Sequence, residues 1–332
     1  MSLTFLNVVI AVVVAIAFAA ANAAYLVWAE RRGAARIQRR PGPNINGPFG
    51  LLQPPLDGIK LMAKQLVIPG GVDKILFIAA PVLAMFPAIM SFVTIPFSDN
   101  IVARNMDVGI LMIFAFASMG SISLLFAGWS SRNKYSMMSS VRAVSQAVAY
   151  EIPMLITTIT VVMLAGSTNL MEIVHQQSGS IFSWNILGWA GKSHNVLMPG
   201  SFLIFFICTL AETNRAPFDL GEAESELVAG FHTEYGSMGF GLFFMGEYAN
   251  IVIGSCMTVI LFLGGWGCPF GLFPGVWWFI LKLYILIATF IWIRWTFPRT
   301  TIYGLLNLSW KILIPLSLVN LLLTAGLIKV FN

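Results

Sequence analysis

Long apolar runs decide what this chain can become. Crossing the hydrocarbon core of a bilayer takes about 20 consecutive, mostly apolar residues. Such runs lie near residues 5–28, 74–97, 108–129, 144–165, 199–211, 240–264, 273–296 and 305–330. The fifth is short and runs straight into an acidic segment. Composition agrees: 58% of residues are hydrophobic and 10% charged, whereas a soluble domain carries about 25% charged residues. In lipid every backbone polar group has to be satisfied within the protein, which leaves helices as the spanning element for runs of this length. The expected fold is therefore all-α, a polytopic integral membrane protein of about eight transmembrane helices. No Ser- or Pro-rich linker divides it and no internal repeat appears, so residues 1–332 read as one membrane domain.

The first run, Phe5 to Trp28, could be mistaken for a secretory signal. It is too long for such an apolar region and lacks a preceding basic stretch. It ends in Glu30-Arg31-Arg32 rather than in small residues, so it reads as a retained span. The three cysteines, Cys208, Cys256 and Cys268, have no CxxC spacing. A disulfide framework, a zinc site or an iron–sulfur cluster held by this chain alone is not expected.

The net charge of +5 does not point to nucleic acid, because the basic residues follow membrane topology. Thirteen lie in odd-numbered loops: Arg31, Arg32, Arg36, Arg39, Arg40, Lys60, Lys64, Arg132, Lys134, Arg142, Arg215, Arg294 and Arg299. Three, Arg104, Lys192 and Lys329, lie in even-numbered loops or the C-terminal tail. The positive-inside rule then places the odd loops in the cytoplasm and both termini on the outer, periplasmic side.

The first cytoplasmic loop, 29–73, is confined by Pro41, Pro43, Pro48, Pro54 and Pro55. After Pro55, the apolar residues Leu56, Ile59, Met62 and Ala63 fall at helical spacing between Asp57, Lys60 and Lys64. That pattern predicts a short amphipathic interfacial helix, which anchors the loop or serves a site.

The segment 212–238 is the second unusual loop. Six of the fourteen acidic residues fall in it: Glu212, Asp219, Glu222, Glu224, Glu226 and Glu234. A block of like charge is ordinarily a solvated loop. This one is interleaved with Phe218, Phe231, Tyr235, Gly230 and Gly236, unlike a disordered tail. Two further acids, Glu151 and Glu247, sit inside predicted spans. A carboxyl at that depth costs several kcal/mol and marks a functional site or an interhelical hydrogen bond. Carboxyls with burial-raised pKa values, strung across a membrane, are what a proton relay requires. Lys282, in the seventh span, is a candidate partner. His175, His194 and His232 are scattered without metal-ligand spacing, and His232 reads as a surface residue. The glycines Gly264, Gly265, Gly267 and Gly271 follow a span and make no nucleotide-binding unit.

Ordered blocks along nearly the whole chain carry a resemblance. They are Glu30-Arg31-Arg32; Arg39-Arg40-Pro41-Gly42-Pro43-Asn44; Gly47-Pro48; Leu52-Gln53-Pro54; Asp57 and Lys60; Arg142 to Gln146 with Tyr150-Glu151; Glu212 to Asp219; Glu222 to Leu227; Phe231 to Tyr235; and Gly246-Glu247-Tyr248. In these the chain resembles the quinone-site membrane subunits of respiratory complex I, the proton-pumping NADH-quinone oxidoreductase. The resemblance implies eight transmembrane helices in a bacterial inner membrane. It implies a chain that forms the membrane half of a chamber where quinone, the substrate, is reduced. Peripheral iron–sulfur subunits would form the other half, the clusters and flavin residing in those partners. The remaining partners would be antiporter-like and small membrane subunits.

By position, the resemblance makes Glu30, Arg31, Arg39, Asn44, Lys60, Arg215, Phe218 and Phe231 quinone-binding candidates. It makes Glu151, Glu212, Asp219, Glu222, Glu224, Glu226 and Glu247 proton-path candidates, with Arg142 paired to a carboxylate or to a neighbouring subunit. It also places the quinone entrance near the first and sixth spans and the amphipathic helix. Two departures stand out. Gln65 replaces a customary Glu, and Thr300-Thr301-Ile302-Tyr303-Gly304 lacks an Arg and an Asp usual after Pro298-Arg299. They leave open a different electron-input module. Membrane-bound hydrogenases share the architecture, although the first-loop match favours quinone. A secondary transporter would suit intramembrane carboxylates, but the duplicated halves and paired broken helices of such proteins are missing.

Overall fold

A computed structural model of the protein describes residues 5–187, 197–221, 224–271 and 273–331; the side chains of 5–12, 224–225 and 331 lie outside that description. The described residues are helices joined by loops. Among the described residues seven helices are long and apolar enough to cross a membrane: α1 (Phe5–Ile37), α3 (Lys74–Thr94), α4 (Gly109–Ser130), α5 (Lys134–Ala165), α9 (Ser237–Phe262), α10 (Val276–Thr296) and the segment Ile302–Val330. Between α5 and α9 lies a shorter apolar helix, α7 (Met198–Glu212). It is the expected fifth span. At about 1.5 Å per residue its 15 residues rise only about 22 Å. Neighbours cover it, since Ile204, Phe205, Cys208, Thr209 and Ala211 are buried against α5 and α9.

Helix ends differ from the apolar runs that announced them. α1 continues nine residues past Trp28, so Glu30, Arg31, Arg32 and Arg36 are helical and the first loop begins only after Ile37. α5 begins at Lys134, ten residues before its apolar run, and carries Arg142 and Gln146 on its polar first half. In both cases lipid sets where the apolar run stops, while packing and the good helix formers Ala, Arg and Gln set where the helix stops. The amphipathic helix, α2 (Gln53–Ala63), starts two residues before Pro55, with prolines in its first turn where a missing N–H costs nothing. Leu56, Ile59 and Met62 are exposed on it, as an interfacial helix requires. Two short helices, α6 (Leu170–Gln176) and α8 (Glu224–Leu227), are not legible as apolar runs.

α9 is the hub. It packs on α1, α2, α3, α7 and α10, and 78% of its most apolar stretch is buried, well above any other span. Small residues let the backbones close up. A Cβ at Gly254 would stand 2.2 Å from the Thr209 methyl of α7.

The last span is interrupted. α11 (Ile302–Asn307) passes through a π-turn, Leu308–Leu313, into α12 (Ile314–Phe331). The buried positions Leu305, Ser309, Leu313 and Ser317 recur every four residues. In a 3.6-residue helix that spacing drifts about 40° per step, and the wider π-turn cancels the drift. Ser309 therefore stays inside, where its hydroxyl donates to the Ala149 carbonyl of α5, and Tyr150 donates to the Leu305 carbonyl at 3.0 Å.

The loops gather by end. At the basic end the amide of Asp73 bonds the Ser130 carbonyl at 3.2 Å, and Ser237 caps α2 through the carbonyls of Leu61 (3.1 Å) and Lys64 (2.7 Å). At the opposite end Gln177, after α6, donates to the Ile260 carbonyl at 2.9 Å, and Asn185 donates to Leu261 at 2.8 Å.

Candidate functional site

One turn of α9 and the segment leaving α7 meet at the basic end. Burying a charge is tolerable only if it is paired. Arg215, which leaves α7 on that segment, reaches the Glu247 carboxylate of α9 at 2.7 Å, and both side chains are buried. His232 Nε2 lies 3.5 Å from the other Glu247 oxygen. His232 is buried against Phe231, Phe240 and Phe243, which corrects its reading as a surface residue. An imidazole between aromatic rings has a partner because Glu247 projects from the next helix, a juxtaposition that spacing along the chain does not show.

The Arg215 guanidinium also stands over the Tyr248 ring, 4.8 Å from its centroid, and 5.4 Å from that of Phe244. Desolvated cation–π contacts of this kind contribute about 2 kcal/mol. The Tyr248 hydroxyl donates to Glu30 of α1 at 2.6 Å, and Arg294 of α10 pairs with the other Glu30 oxygen. A continuous chain of charge results: Arg294, Glu30, Tyr248, Arg215, Glu247, His232. It joins α1, α9, α10 and the segment after α7.

Two cavities flank this chain. One is lined by Glu30, Arg215, Tyr248 and Arg294, with Leu26, Ile287 and Phe290 as its apolar wall. The other is lined by Glu151, Glu212, Glu247, Asn214, Asn250 and Ser121 among others. Thr213 borders both, so the Arg215–Glu247 pair stands between them. A third cavity shares Glu212 and Asn250 with the second and runs on between apolar residues, including Met154, Phe205 and Met257. Ser118 of α4 donates to Glu151.

The structure thus joins Arg215 to Glu247 directly and Glu30 to both through Tyr248, and brings Glu151, Glu212 and Glu247 around one cavity. Other candidates stand apart. Asp219 is held at Arg299, whose Nε donates to the Asp219 carbonyl at 2.7 Å. Glu226 of α8 is exposed and paired with Arg142 of α5 at 2.6 Å. That guanidinium, by hydrogen bond and charge, holds the Glu226 carboxyl below the usual glutamate range. Glu222 lies outside the described residues, as does the side chain of Glu224.

Arg31 pairs with Asp57 at 3.2 Å and ties α2 to α1, whereas Arg39, Asn44 and Lys60 are exposed. Phe218 and Phe231 are packed inside, the first beside Tyr150 and the second in a cluster with Phe77, Tyr235 and Phe243. Burial pushes the Tyr235 hydroxyl above its ordinary pKa. Lys282 does not meet Glu247. Its ammonium donates to the carbonyls of Leu263 (2.6 Å), Gly265 (3.0 Å) and Gly267 (2.7 Å) at the opposite end and lies 4.0 Å from the Trp184 ring centroid.

Tyr248, Arg294, Asn250 and Ser118 belong to the site although sequence reasoning does not single them out. Only Tyr248 carries a signal, as the one polar neighbour of Glu247 in an apolar stretch.

The sequence model of the NADH dehydrogenase family matches residues 9–325. The chain belongs to this family. It is 77% identical over 331 residues to an NADH-quinone oxidoreductase subunit of Desulfotalea psychrophila, covering 100% of this chain and 99% of that one. It is 44% identical to the like-named subunit of Rhodospirillum centenum, over 94% of this chain and 90% of that one. The like-named subunit of Dehalococcoides mccartyi is 42% identical, over 98% and 88%. As a member of this family the chain is a multi-pass membrane subunit of a multisubunit oxidoreductase, complex I.

Proposed function

We propose that this subunit forms part of the quinone-binding chamber of complex I and links quinone reduction to proton translocation. The arrangement that carries the reading is the Arg215–Glu247 pair, set between a cavity holding Glu30 and Arg294 and a cavity holding Glu151 and Glu212. The first cavity has two guanidiniums, a carboxylate and an apolar wall, which suits a polar quinone head that gains negative charge on reduction. Arg31, Arg39, Asn44 and Lys60 lie exposed in and beside the first loop, where peripheral iron–sulfur partners would complete the chamber. Those partners would carry the clusters and the flavin.

Reduction of quinone consumes two protons and changes the charge beside Arg215. Glu247 is the carboxylate that responds first. Glu212 and Glu151 border the same cavity, so a proton gained or lost at Glu247 alters their own proton affinity. From there the path would lead through the third cavity toward antiporter-like subunits. Glu222, Glu224, Glu226 and Asp219 would form the loop side of this acidic system. The orientation follows from the basic residues: the site faces the cytoplasm, and both termini face the periplasm of a bacterial inner membrane.

The test is a Glu151→Gln/Glu212→Gln double variant of the complex reconstituted in vesicles. Quinone reduction and proton pumping are measured together. Pumping per quinone reduced should fall by at least tenfold; stoichiometric pumping in that variant would sink the proposal.

A further inference from the structure

The last span carries a charge that the site does not use. Lys311 lies in the π-turn between α11 and α12, is exposed on the outer surface of the bundle, and makes no ion pair among the described residues. Other charged side chains that lie well within the spans point inward: Glu151 and Glu247 border a cavity, and Lys282 is held by carbonyls. An ammonium facing hydrocarbon would be costly, so its level along the helix decides what it meets.

Lys329 closes the other end of the same span. Eighteen residues separate the two lysines, a rise of about 27 Å at 1.5 Å per residue, close to the thickness of a hydrocarbon core of about 30 Å. Both ammoniums therefore fall at headgroup level. The tryptophans give the same level. Trp310, beside Lys311, is 54% exposed; on α10, Trp292 is 65% exposed toward the same end and Trp277 is 81% exposed at the other. Exposed tryptophans mark the boundaries of the apolar layer.

We propose that Lys311, with Trp310, docks the phosphate of an anionic phospholipid in the leaflet at the basic end of the bundle. The chemistry is that of a long cationic side chain reaching the interface, flanked by an indole that lies flat against the acyl boundary. The π-turn makes the pair possible, because it keeps Ser309 on the Ala149 carbonyl while Trp310 and Lys311 face out. Since α5 carries Glu151 two residues after Ala149, the lipid braces the helix behind the carboxylate cavity.

The experiment uses the assembled complex in phosphatidylcholine vesicles. These contain a minor fraction of photoactivatable phosphatidylglycerol or, in parallel, photoactivatable phosphatidylcholine, and adducts are mapped to the peptide spanning residues 303–312. The anionic probe should label that peptide about fivefold more than the zwitterionic one, the size expected of one basic side chain at an anionic surface. Lys311→Gln should abolish the preference and Lys311→Arg should keep it. Equal labelling by the two probes in the unaltered complex would overturn the proposal, even if the Gln variant failed to assemble. Absence of lipid adducts on this peptide, with adducts formed elsewhere on the complex, would overturn it in favour of a protein partner covering that face.

Discussion

Two buried cations sit at opposite ends of the bundle, and they are held differently. Arg215 faces a carboxylate, Glu247, with an aromatic ring beneath it and a cavity on either side of the pair. Lys282 faces three backbone carbonyls of the turn after α9, with Trp184 against it. The difference lies in what can change. A carboxylate can take a proton and release its guanidinium, so in the proposed reading the Arg215 end is a switchable pair beside space that water can enter. The Lys282 end instead bonds three carbonyls of one turn, a clamp that closes it around Gly264, Gly265 and Gly267. A charge in a membrane span is thus a functional hypothesis only until its partner is known.

The largest effect should come from breaking the switchable pair. Glu247→Ala leaves Arg215 buried without its carboxylate, a loss of about 3–5 kcal/mol for a buried pair. The assembled complex should become scarce on native gels. Arg215→Met combined with Glu247→Met should recover much of the assembly without recovering quinone reductase activity. If the single variant assembles at normal levels and remains active, the contrast between the two ends collapses.

The clamp should behave in the opposite way. Lys282→Met removes a donor shared by three carbonyls and should lower stability by about 3 kcal/mol, given roughly 1–3 kcal/mol for each buried group left unsatisfied. The thermal midpoint of the complex should drop, while turnover per assembled complex stays within about twofold. A large fall in turnover at full assembly would mean that the outer end takes part in the chemistry.

The two ends are not equally legible in the sequence. Glu247 and Arg215 both stand out as candidates, because a glutamate after Phe243-Phe244-Met245-Gly246 and a lone arginine in an acidic segment violate the local pattern. Their contact is not readable. The resemblance gives Arg215 to quinone and Glu247 to protons, and only the crossing of the segment after α7 over α9 makes them one unit. Lys282 suggests itself as the partner of Glu247, since a buried ammonium ordinarily seeks a carboxylate. The glycines after α9, which make no nucleotide loop, are instead its acceptors. Arg294 reads only as a loop charge, although it closes the chain at Glu30. The spans themselves are legible because lipid enforces a length. The helix extensions of α1 and α5 beyond the lipid are not, since there protein contacts decide.

Within the switchable end, Tyr248 is the link between Glu30 and Arg215. Tyr248→Phe keeps the ring under the guanidinium and removes one hydrogen bond to a charged group, worth about 1.5–3 kcal/mol. Assembly should survive. Quinone reductase turnover should fall several-fold. Unchanged turnover would make Tyr248 a packing residue only and would separate Glu30 from the Arg215–Glu247 pair.

The smallest effect should come from the solvent-side pair, Arg142 with Glu226, which tests whether pairing matters without burial. Glu226 is exposed and its pair is screened by water, so removing it should leave stability nearly unchanged. Its pH behaviour has a definite sign. The folded carboxyl is held below the ordinary glutamate value by Arg142, so the pair is intact above that value and is lost as pH falls through the depressed one. Hydrogen exchange of the backbone at 224–227 should quicken over that acidic window in the unaltered protein, after correction for the intrinsic pH dependence of exchange. With Arg142→Gln the same segment should exchange at one corrected rate throughout. A pH step that persisted in the variant would place the responsible group elsewhere in the acidic loop, and the pair at α8 would then contribute nothing to holding it.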